Sequence, residues 1–302
     1  MQTLLTIGVP VRNEKESLEK CLQAIMRSDL PESTEIIICD NGSTDKSLDR
    51  ISKIYIEKIK IVKEPRLGKV FAMNKIIEAS GSDYIIFCDA DVLVKRDTLK
   101  RIYEKLKNTD LHMVGLYLID ISQNKFFNWY YKVLVKIQKD DIKNNVMGGC
   151  FGINKNQFVK FPPVLSTDFF MSAYYYYGNG KAVRCDDINA YFKRANTVWD
   201  ILMKTTRNRM KYLQIKKDFR KLAGFQYEPP LDHRKLYNNL SPSTLFVASF
   251  FSIIAVISYI AGTIGFYAKF KNIGYTWRKA KSTKLGDIDM SYFVINEDGS
   301  VY

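Results

Sequence analysis

Short apolar runs alternate with helix-length amphipathic segments over roughly the first 120 residues of the chain. The apolar runs occupy residues 3–9, 35–39, 59–62 and 84–88. Runs of this kind are typical of strands that are buried on both faces of a parallel sheet. Between the first two runs, apolar side chains recur at helical spacing at Leu18, Cys21, Leu22, Ile25 and Met26. Strands that alternate with single helices predict an α/β fold with a doubly wound, mostly parallel sheet and flanking helices.

Polar clusters follow the predicted strands. They occupy residues 10–14, 40–45, 68–69 and 89–91. Ligands of open α/β sheets bind outside the carboxyl ends of the strands, so we expect these clusters to meet at one rim. The sequence contains neither a Gly-x-Gly-x-x-Gly fingerprint nor a Walker loop, which argues against an ordinary dinucleotide fold and a P-loop ATPase.

The most informative cluster ends the apolar run at 84–88. Asp89 and Asp91 flank Ala90 directly after this run. Carboxylates are costly inside a core, so we expect them at the rim of the sheet. An oxygen-rich cluster there suits a hard divalent cation and, through the cation, a diphosphate. The plainer alternative is a polar loop that ends the strand.

The composition excludes several kinds of site. The five cysteines are scattered and form no CxxC pair, which indicates reduced thiols rather than a disulfide framework. The two histidines, His112 and His233, are too few to predict a zinc site or a catalytic histidine triad. We expect no signal peptide, because the chain opens directly into a strand-like segment. A net charge of +14 indicates an anionic partner, namely nucleic acid, acidic lipid or a phosphorylated substrate.

Four motifs in order resemble those of family 2 glycosyltransferases, which have the GT-A fold. They are Val-Pro-Val-Arg-Asn-Glu at 9–14, Cys-Asp-Asn-Gly-Ser-Thr-Asp at 39–45, Gly-Lys at 68–69 followed by Asn74, and Asp-Ala-Asp at 89–91. Each motif is weak alone, whereas their order and spacing together are specific. The resemblance covers roughly the first 200 residues.

The resemblance implies a role for each motif. The expected nucleotide-sugar ligands are Pro10, Val11, Arg12, Glu14, Asp40, Lys69, Asp89, Ala90, Arg207 and Arg209. Among them, Pro10, Glu14 and Asp40 would hold the nucleoside, and Lys69 would lie near the base or the phosphates. Asp91, together with Asp89, would bind Mn²⁺ or Mg²⁺. The metal would neutralise the leaving nucleoside diphosphate.

The acceptor side is expected in the second half of the chain. Thr167 and Asp168 stand where the family carries a Glu-Asp pair, so the aspartate is kept and the glutamate is replaced. Asp168 is the predicted general base, which deprotonates the acceptor hydroxyl in an inverting transfer. Its alternative role is that of a helix N-cap. The glycine-rich segment 146–153 resembles the family's acceptor-side segment, although its glycines could equally permit a tight bend.

A basic region begins near Lys193, which stands close to where some relatives have a metal-binding histidine. The metal here would therefore have fewer protein ligands. Residues 199–212 loosely resemble a Gln-x-x-Arg-Trp region, with Arg207 and Arg209 present but Met210 where tryptophan is usual. The missing tryptophan favours addition of a single sugar. The two arginines would reach the diphosphate or belong to a solvated basic face. Asp186 and Asp187 are expected in a loop.

Residues 245–267 are uncharged and long enough to cross a bilayer once. Basic residues flank both ends, so a helix that lies in the membrane interface on anionic lipid is the alternative. The aromatic and basic stretch 126–137 is expected to be a packing helix or to face the acceptor or the membrane.

These features predict a catalytic domain at 1–200, divided into a nucleotide-sugar half (1–112) and an acceptor half (113–200). A basic interface region (201–240), a membrane helix (241–268) and a polar tail (269–302) follow. The predicted activity is metal-dependent, inverting transfer of a sugar from a UDP- or GDP-sugar to a lipid-linked or polysaccharide acceptor. We expect it at the cytoplasmic face of the membrane, with anionic lipid as a partner and no nucleic acid. The alternatives are a basic nucleic-acid-binding protein and a nucleotidylyltransferase, although a nucleotidylyltransferase needs a glycine-rich loop after its first strand.

Overall fold

The computed structural model describes residues 3–49, 51, 59–121, 124–127, 129, 148–158, 160–163, 167–168, 170–171, 181–223, 253–254, 256–264 and 283–285. The strands among these residues are β1 (Leu5–Val11), β2 (Thr34–Asp40), β3 (Lys60–Lys63), β4 (Tyr84–Cys88), β5 (Val92–Val94), β6 (Met113–Asp120), β7 (Cys150–Asn154) and β8 (Ala182–Phe192). The main helices are α1 (Leu18–Met26), α2 (Lys69–Ala79), α3 (Thr98–Lys107) and α4 (Val198–Ala223). Residues 253–254 and 256–264 are also helical and are called the apolar helix below.

The strands form one mixed sheet in the order β3-β2-β1-β4-β7-β6-β8-β5. The predicted parallel arrangement is confirmed for β1 to β4. Beyond β4 the sheet is mixed rather than mostly parallel, because β7 pairs antiparallel with both β4 and β6, and β5 pairs antiparallel with β8, whereas β6 and β8 pair in parallel. This reversal has a consequence for the site, since the start of β7 comes to lie beside the end of β4.

Pro10 lies inside β1 rather than ending it, as its register with Cys39 shows. A proline in a sheet removes one donor from the ladder. The carbonyl of the next residue, Val11, accepts the N–H of Asn41 on the β2 side. Pro10 therefore faces the β4 side, where the pairing has already ended at Gly8. The lack of an N–H at Pro10 therefore costs the sheet no hydrogen bond.

Helices cover both faces of the sheet, as the alternating pattern predicts. Alternate residues of β4 point to opposite faces, with Ile86 in the cluster that contains the apolar sides of α1 and α3. Ile85 and Phe87 belong to the cluster on the other face, which α2 covers. All five cysteines are buried free thiols.

Asp186 and Asp187 lie within β8, so the prediction that they belong to a loop is wrong. The ladder between β6 and β8 shifts register after Leu116, and the two aspartates fall in this irregularity. A bulge leaves the inserted residues outside the ladder, which accounts for their exposure. Their carboxylates pair with Arg184 and Arg101.

The apolar helix packs along α4. The hydroxyl groups of Thr205 and Ser258 share a hydrogen bond between the two helices. A Cβ atom on Gly262 would lie 2.8 Å from the carbonyl oxygen of Thr206, so the absence of a side chain permits the close approach. The other side of the apolar helix is exposed and carries Ile253, Val256, Ile257, Ile260 and Ile264.

Across the residues described, no helix combines the length and apolar character needed to span a bilayer. Most of the segment predicted at 245–267 lies outside these residues, as do most of 126–137, residues 224–250 and the tail after residue 285.

Candidate active site

The loops after β1 and β2 bind each other at the rim of the sheet. Asn13 adopts the left-handed backbone conformation, with a φ of 55°. Its side-chain oxygen accepts the N–H of Thr44 at 2.8 Å, and its own N–H donates to the hydroxyl of Ser43 at 3.2 Å. The N–H of Ser43 in turn donates to the carboxylate of Asp40 at 3.0 Å. The two predicted nucleotide-binding clusters therefore form one hydrogen-bonded unit.

Asn41 fixes the loop that precedes α2. Its amide nitrogen donates to the carbonyls of Glu64 and Arg66, at 3.0 and 2.8 Å. Its amide oxygen accepts the N–H of Gly68 at 2.6 Å. Gly68 has a φ of 145°, a conformation that a side chain would disfavour. Because α2 begins immediately after this turn, Asn41 determines where Lys69 enters the site.

Lys69 connects the donor-side and acceptor-side carboxylates. Its Nζ atom lies 2.7 Å from Oδ1 of Asp89 and 3.5 Å from Oδ1 of Asp168. Burial lowers the pKa of Lys69, but the charges of Asp168 and Asp89 outweigh this effect, so its pKa is raised and it remains an ammonium. Two residues that are distant in the sequence and were predicted separately thus share one cation.

The carboxylates differ in their protonation. Burial raises the pKa of Asp89 to about 7, although the charge of Lys69 acts in the opposite direction. Burial also raises the pKa of Asp91. Burial acts likewise on Asp168, but the charges of Lys69 and Lys211 prevail, so its pKa is lowered. Asp168 is therefore ionised at neutral pH and can accept a proton.

Asp89 and Asp91 suit a divalent cation whose coordination is completed by a substrate. Within the described part of the chain, no group of three or more histidine, cysteine or acidic side chains is placed to hold a metal ion by itself. Mg²⁺ is commonly held by one or two carboxylates together with substrate phosphates and water. Two carboxylates at the rim fit that mode, and their oxygens are ligands that Mn²⁺ also accepts.

The two residues directly before β7 are glycines that contribute to the site. A Cβ atom on Gly148 would lie 2.1 Å from Cγ of Asp168, so only glycine leaves room for this carboxylate. The carbonyl of Gly149, whose φ is 102°, accepts the N–H of Asp89 at 2.6 Å. The antiparallel pairing of β7 with β4 brings the two glycines to this position.

Three cations spaced along one face of α4 are close enough to the carboxylates to interact with them. Burial lowers the pKa of Lys204 and of Lys211 to about 8 in each case, while the charge of Asp91 opposes this for Lys204 and that of Asp168 for Lys211. Between them, Arg207 interacts with both aspartates. Its Nε atom is buried and lacks a hydrogen-bond partner among the residues described. We call Lys204, Arg207 and Lys211 the α4 basic face.

The remaining predicted residues contribute in other ways. Val11 and Ala90 are buried, so their side chains pack beneath the site. Pro10 and Arg12 are partly exposed beside the rim. Arg209 is directed towards the apolar helix, with its guanidinium 3.8 Å from the ring centroid of Tyr259.

Glu14 is fully buried and paired with Lys284, a partner that the sequence does not predict. No local pattern could have revealed Lys284, because the two residues are 270 positions apart. Lys204 and Lys211 are further site residues, beyond those predicted from the sequence. Their spacing with Arg207 places all three on one helix face, and this signal was available in the sequence.

Comparison with known proteins identifies the family. The family model described as "Glycosyl transferase family 2" matches residues 6–198 of this 302-residue chain. The match contains the loops after β1 and β2, Lys69, the Asp-Ala-Asp segment and Asp168.

Named relatives align over part of the chain. A Methanococcus voltae protein named dolichyl N-acetyl-alpha-D-glucosaminyl phosphate 3-beta-D-2,3-diacetamido-2,3-dideoxy-beta-D-glucuronosyltransferase is 32% identical over 37% of each chain. Glycosyltransferase GlyG of Streptococcus pneumoniae is 26% identical over 42% of this chain and 44% of its own. The alignments thus span less than half the length of these relatives.

Solved structures share the fold over most of the chain. Mannosyltransferase PcManGT from Pyrobaculum calidifontis, in complex with GDP-Man and Mn²⁺, has a TM-score of 0.59 and 18% identity. The superposition covers 87% of this chain and 86% of that one. TarS of S. aureus in complex with UDP-GlcNAc has a TM-score of 0.50 and 13% identity, over 89% of this chain and 91% of its own.

Proposed function

Because the chain belongs to glycosyltransferase family 2, we propose that it transfers one sugar from a UDP- or GDP-sugar to a lipid-linked acceptor, with inversion at the anomeric carbon. The observation that carries this proposal is the position of Lys69 between Asp89 and Asp168. The donor-side motif and the predicted base meet at one cation, so a reacting sugar between them would contact both.

The donor is expected at the rim beside β1, β2 and β4. In this proposal Asp40 and the loop after β1 hold the nucleoside, with Pro10 and Arg12 at its edge. Asp91 and Asp89 would bind Mn²⁺ or Mg²⁺, which supplies positive charge to the leaving nucleoside diphosphate when it is bound. The solved structures that share this fold contain GDP-Man with Mn²⁺ in one case and UDP-GlcNAc in another.

The proposed chemistry requires one base. Asp168 accepts the proton of the acceptor hydroxyl while the oxygen of that hydroxyl forms the new bond to the anomeric carbon. The bond from that carbon to the diphosphate breaks, and the electron pair leaves with the nucleoside diphosphate. The low pKa of Asp168 keeps it ionised for this step. The α4 basic face is positioned to stabilise the negative charge that develops on the leaving group.

A lipid-linked acceptor is favoured by the surface beside the site. The same helix, α4, presents Arg207 towards the carboxylates and Arg209 towards the apolar helix. The exposed isoleucines of the apolar helix form a surface suited to lipid, and the net charge of +14 suits anionic headgroups. One relative is named for transfer to a dolichyl-linked sugar phosphate. We place the catalytic half at the cytoplasmic face of a membrane, where nucleotide sugars are available.

Thermal melting with UDP or GDP, in the presence and absence of Mn²⁺, tests the donor side of this proposal. A nucleotide at about 100 times its Kd adds roughly 2.7 kcal/mol of stability, which corresponds to a rise of about 5–10 °C. We expect one nucleotide to give such a rise only with Mn²⁺. Asp91→Ala should abolish the rise, whereas the matched control Asp110→Ala, at an exposed position remote from the rim, should retain it. Equal rises with and without Mn²⁺ would contradict the proposed metal site.

A further inference from the structure

Residues 283–285 lie against the candidate active site although they come from near the far end of the chain. The N–H of Leu285 donates to the hydroxyl of Ser17 at 3.0 Å, and its carbonyl accepts Nζ of Lys20 at 2.8 Å. The side chain of Leu285 is fully buried and packs with Leu93. These contacts attach the segment, which we call the strap, to the beginning of α1.

Lys284 extends from the strap into the loop after β1. Its Nζ atom donates to the carbonyl oxygen of Asn13 at 2.8 Å and to the carboxylate of Glu14. The Lys284 side chain is 14% exposed and that of Glu14 is 0% exposed. A carboxylate buried to this extent needs a counter-charge. Lys284 supplies one, together with a hydrogen bond to the adjoining backbone.

The loop that Lys284 holds is the loop that carries the nucleotide motif. On its other side, Asn13 is bound to Ser43 and Thr44 of the loop after β2. Its left-handed backbone conformation is uncommon outside glycine, although asparagine tolerates it better than most residues, and here hydrogen bonds hold it on both sides. The strap and the loop after β2 therefore fix this turn from two sides.

We propose that Lys284 is a positioning residue of the donor site, which holds the loop after β1 in the conformation that binds a nucleoside diphosphate. It acts through Asn13 and Glu14 and touches no reacting atom. The strap is accordingly a part of the donor site supplied by the far end of the chain. This inference rests on the proposed function, because its ligand is the proposed donor nucleotide.

Calorimetric titration of the full chain with UDP and with GDP, each with MnCl₂, tests the inference. Lys284→Met should weaken binding of the nucleotide that the unaltered protein prefers by about 10-fold or more, a typical effect of removing a residue that orients a ligand-binding group. Lys284→Arg should restore binding. Lys100→Met, which removes an exposed ammonium from α3, should leave binding unchanged. In transfer assays the donor KM of Lys284→Met should rise more than its kcat falls.

Loss of the counter-charge of Glu14 could unfold Lys284→Met, so the double variant Glu14→Gln/Lys284→Met is measured beside it. We expect this variant to melt near the unaltered protein yet bind the nucleotide more weakly than Glu14→Gln alone does. Binding by the double variant within error of the unaltered protein would show that Lys284 only neutralises Glu14, and would overturn the inference. Absence of UDP and GDP binding by the unaltered protein would instead refute the proposed function on which the inference rests.

Discussion

Gly148 and the carboxylate of Asp168 lie so close together that no side chain fits between them. A Cβ atom on Gly148 would be 2.1 Å from Cγ of Asp168. The glycine lies two residues before β7, and the aspartate belongs to a separate helical turn. The sequence predicts a tight bend or a sugar contact at Gly148. In the structure this glycine leaves space for the proposed base.

Gly148→Ala should therefore displace Asp168 and reduce kcat by about 10²-fold, since a shift of about 1 Å in a reacting group can have that effect. Nucleotide affinity should change little, because the donor loops lie elsewhere at the rim. The matched control is Gly81→Ala, where the nearest atom to the added Cβ lies at 3.4 Å. Equal activity of the two variants would show that Asp168 does not need its present position.

Asp168→Asn removes the proposed base while keeping the shape of the side chain. We expect kcat to fall by about 10²- to 10⁴-fold with little change in the affinity for nucleoside diphosphate and Mn²⁺. Asp110→Asn serves as the control, because that carboxylate is exposed and remote from the rim. A loss of nucleotide binding that matched the loss of turnover would place Asp168 in donor binding rather than in proton transfer.

Lys69→Met should move the acid limb of the pH profile of kcat/KM to higher pH. Burial raises the pKa of Asp89 to about 7, and the charge of Lys69 opposes that rise, so its removal should raise this pKa further. The profile of kcat/KM reports the pKa values of the free enzyme. Lys75→Met, on the same helix but paired with Glu78 at the surface, should leave the limb in place. If the acid limb of Lys69→Met stayed at the same pH as in the unaltered protein, the proposed effect of Lys69 on the pKa of Asp89 would be contradicted.

The protonation of Asp89 also affects stability. Its pKa of about 7 lies above the ordinary 3.8, so between these values the folded protein keeps a proton that the unfolded chain has lost. This group therefore lowers the free energy of unfolding as the pH rises through that window.

The α4 basic face should make anion binding and intrinsic stability respond to pH in opposite directions. Burial lowers the pKa of Lys204 and Lys211 to about 8, below their ordinary 10.5, so the unfolded chain binds more protons between these values. The contribution of these lysines to the free energy of unfolding therefore increases as the pH rises above about 8. Anion binding changes in the opposite direction, because the lysines are fully charged only below that pH. Stabilisation by pyrophosphate without metal, measured as a melting shift, should decline from about pH 7 to pH 9.5.

Lys211→Met should lose part of this stabilisation below about pH 8, and Lys100→Met should not. Lys211 would be excluded from anion binding if pyrophosphate raised the melting temperature equally at the low and the high pH. Equal rises in Lys211→Met and Lys100→Met would exclude it as well.

The exposed side of the apolar helix should mediate binding to anionic lipid. Ile257→Ser combined with Ile260→Ser reduces this surface without touching the side that packs on α4. We expect this variant to sediment less with vesicles that contain phosphatidylglycerol than the unaltered protein does. Leu4→Ser is the control, because it removes an exposed apolar side chain far from that helix. Equal sedimentation of the two variants would refute the proposed lipid contact.

The sequence predicts the elements whose formation depends on local pattern. The strands β1 to β4, the helices α1 and α2 and the rim positions of Asp40, Lys69 and Asp89 all follow from apolar runs that end in polar clusters. The sequence does not predict that β7 pairs antiparallel with β4, because strand pairing depends on contacts between distant residues. For the same reason the pairing of Glu14 with Lys284 had no local signal.

Release of nucleoside diphosphate from a panel of UDP- and GDP-sugars, with Mn²⁺ and a polyprenyl-linked acceptor, tests the central claim most directly. We expect one donor to support release that requires the acceptor, and the product to have the inverted anomeric configuration. Asp91→Ala and Asp168→Asn should each abolish this release, while Asp110→Asn should retain it. Undiminished release in both active-site variants, or a product that keeps the anomeric configuration of the donor, would contradict the account.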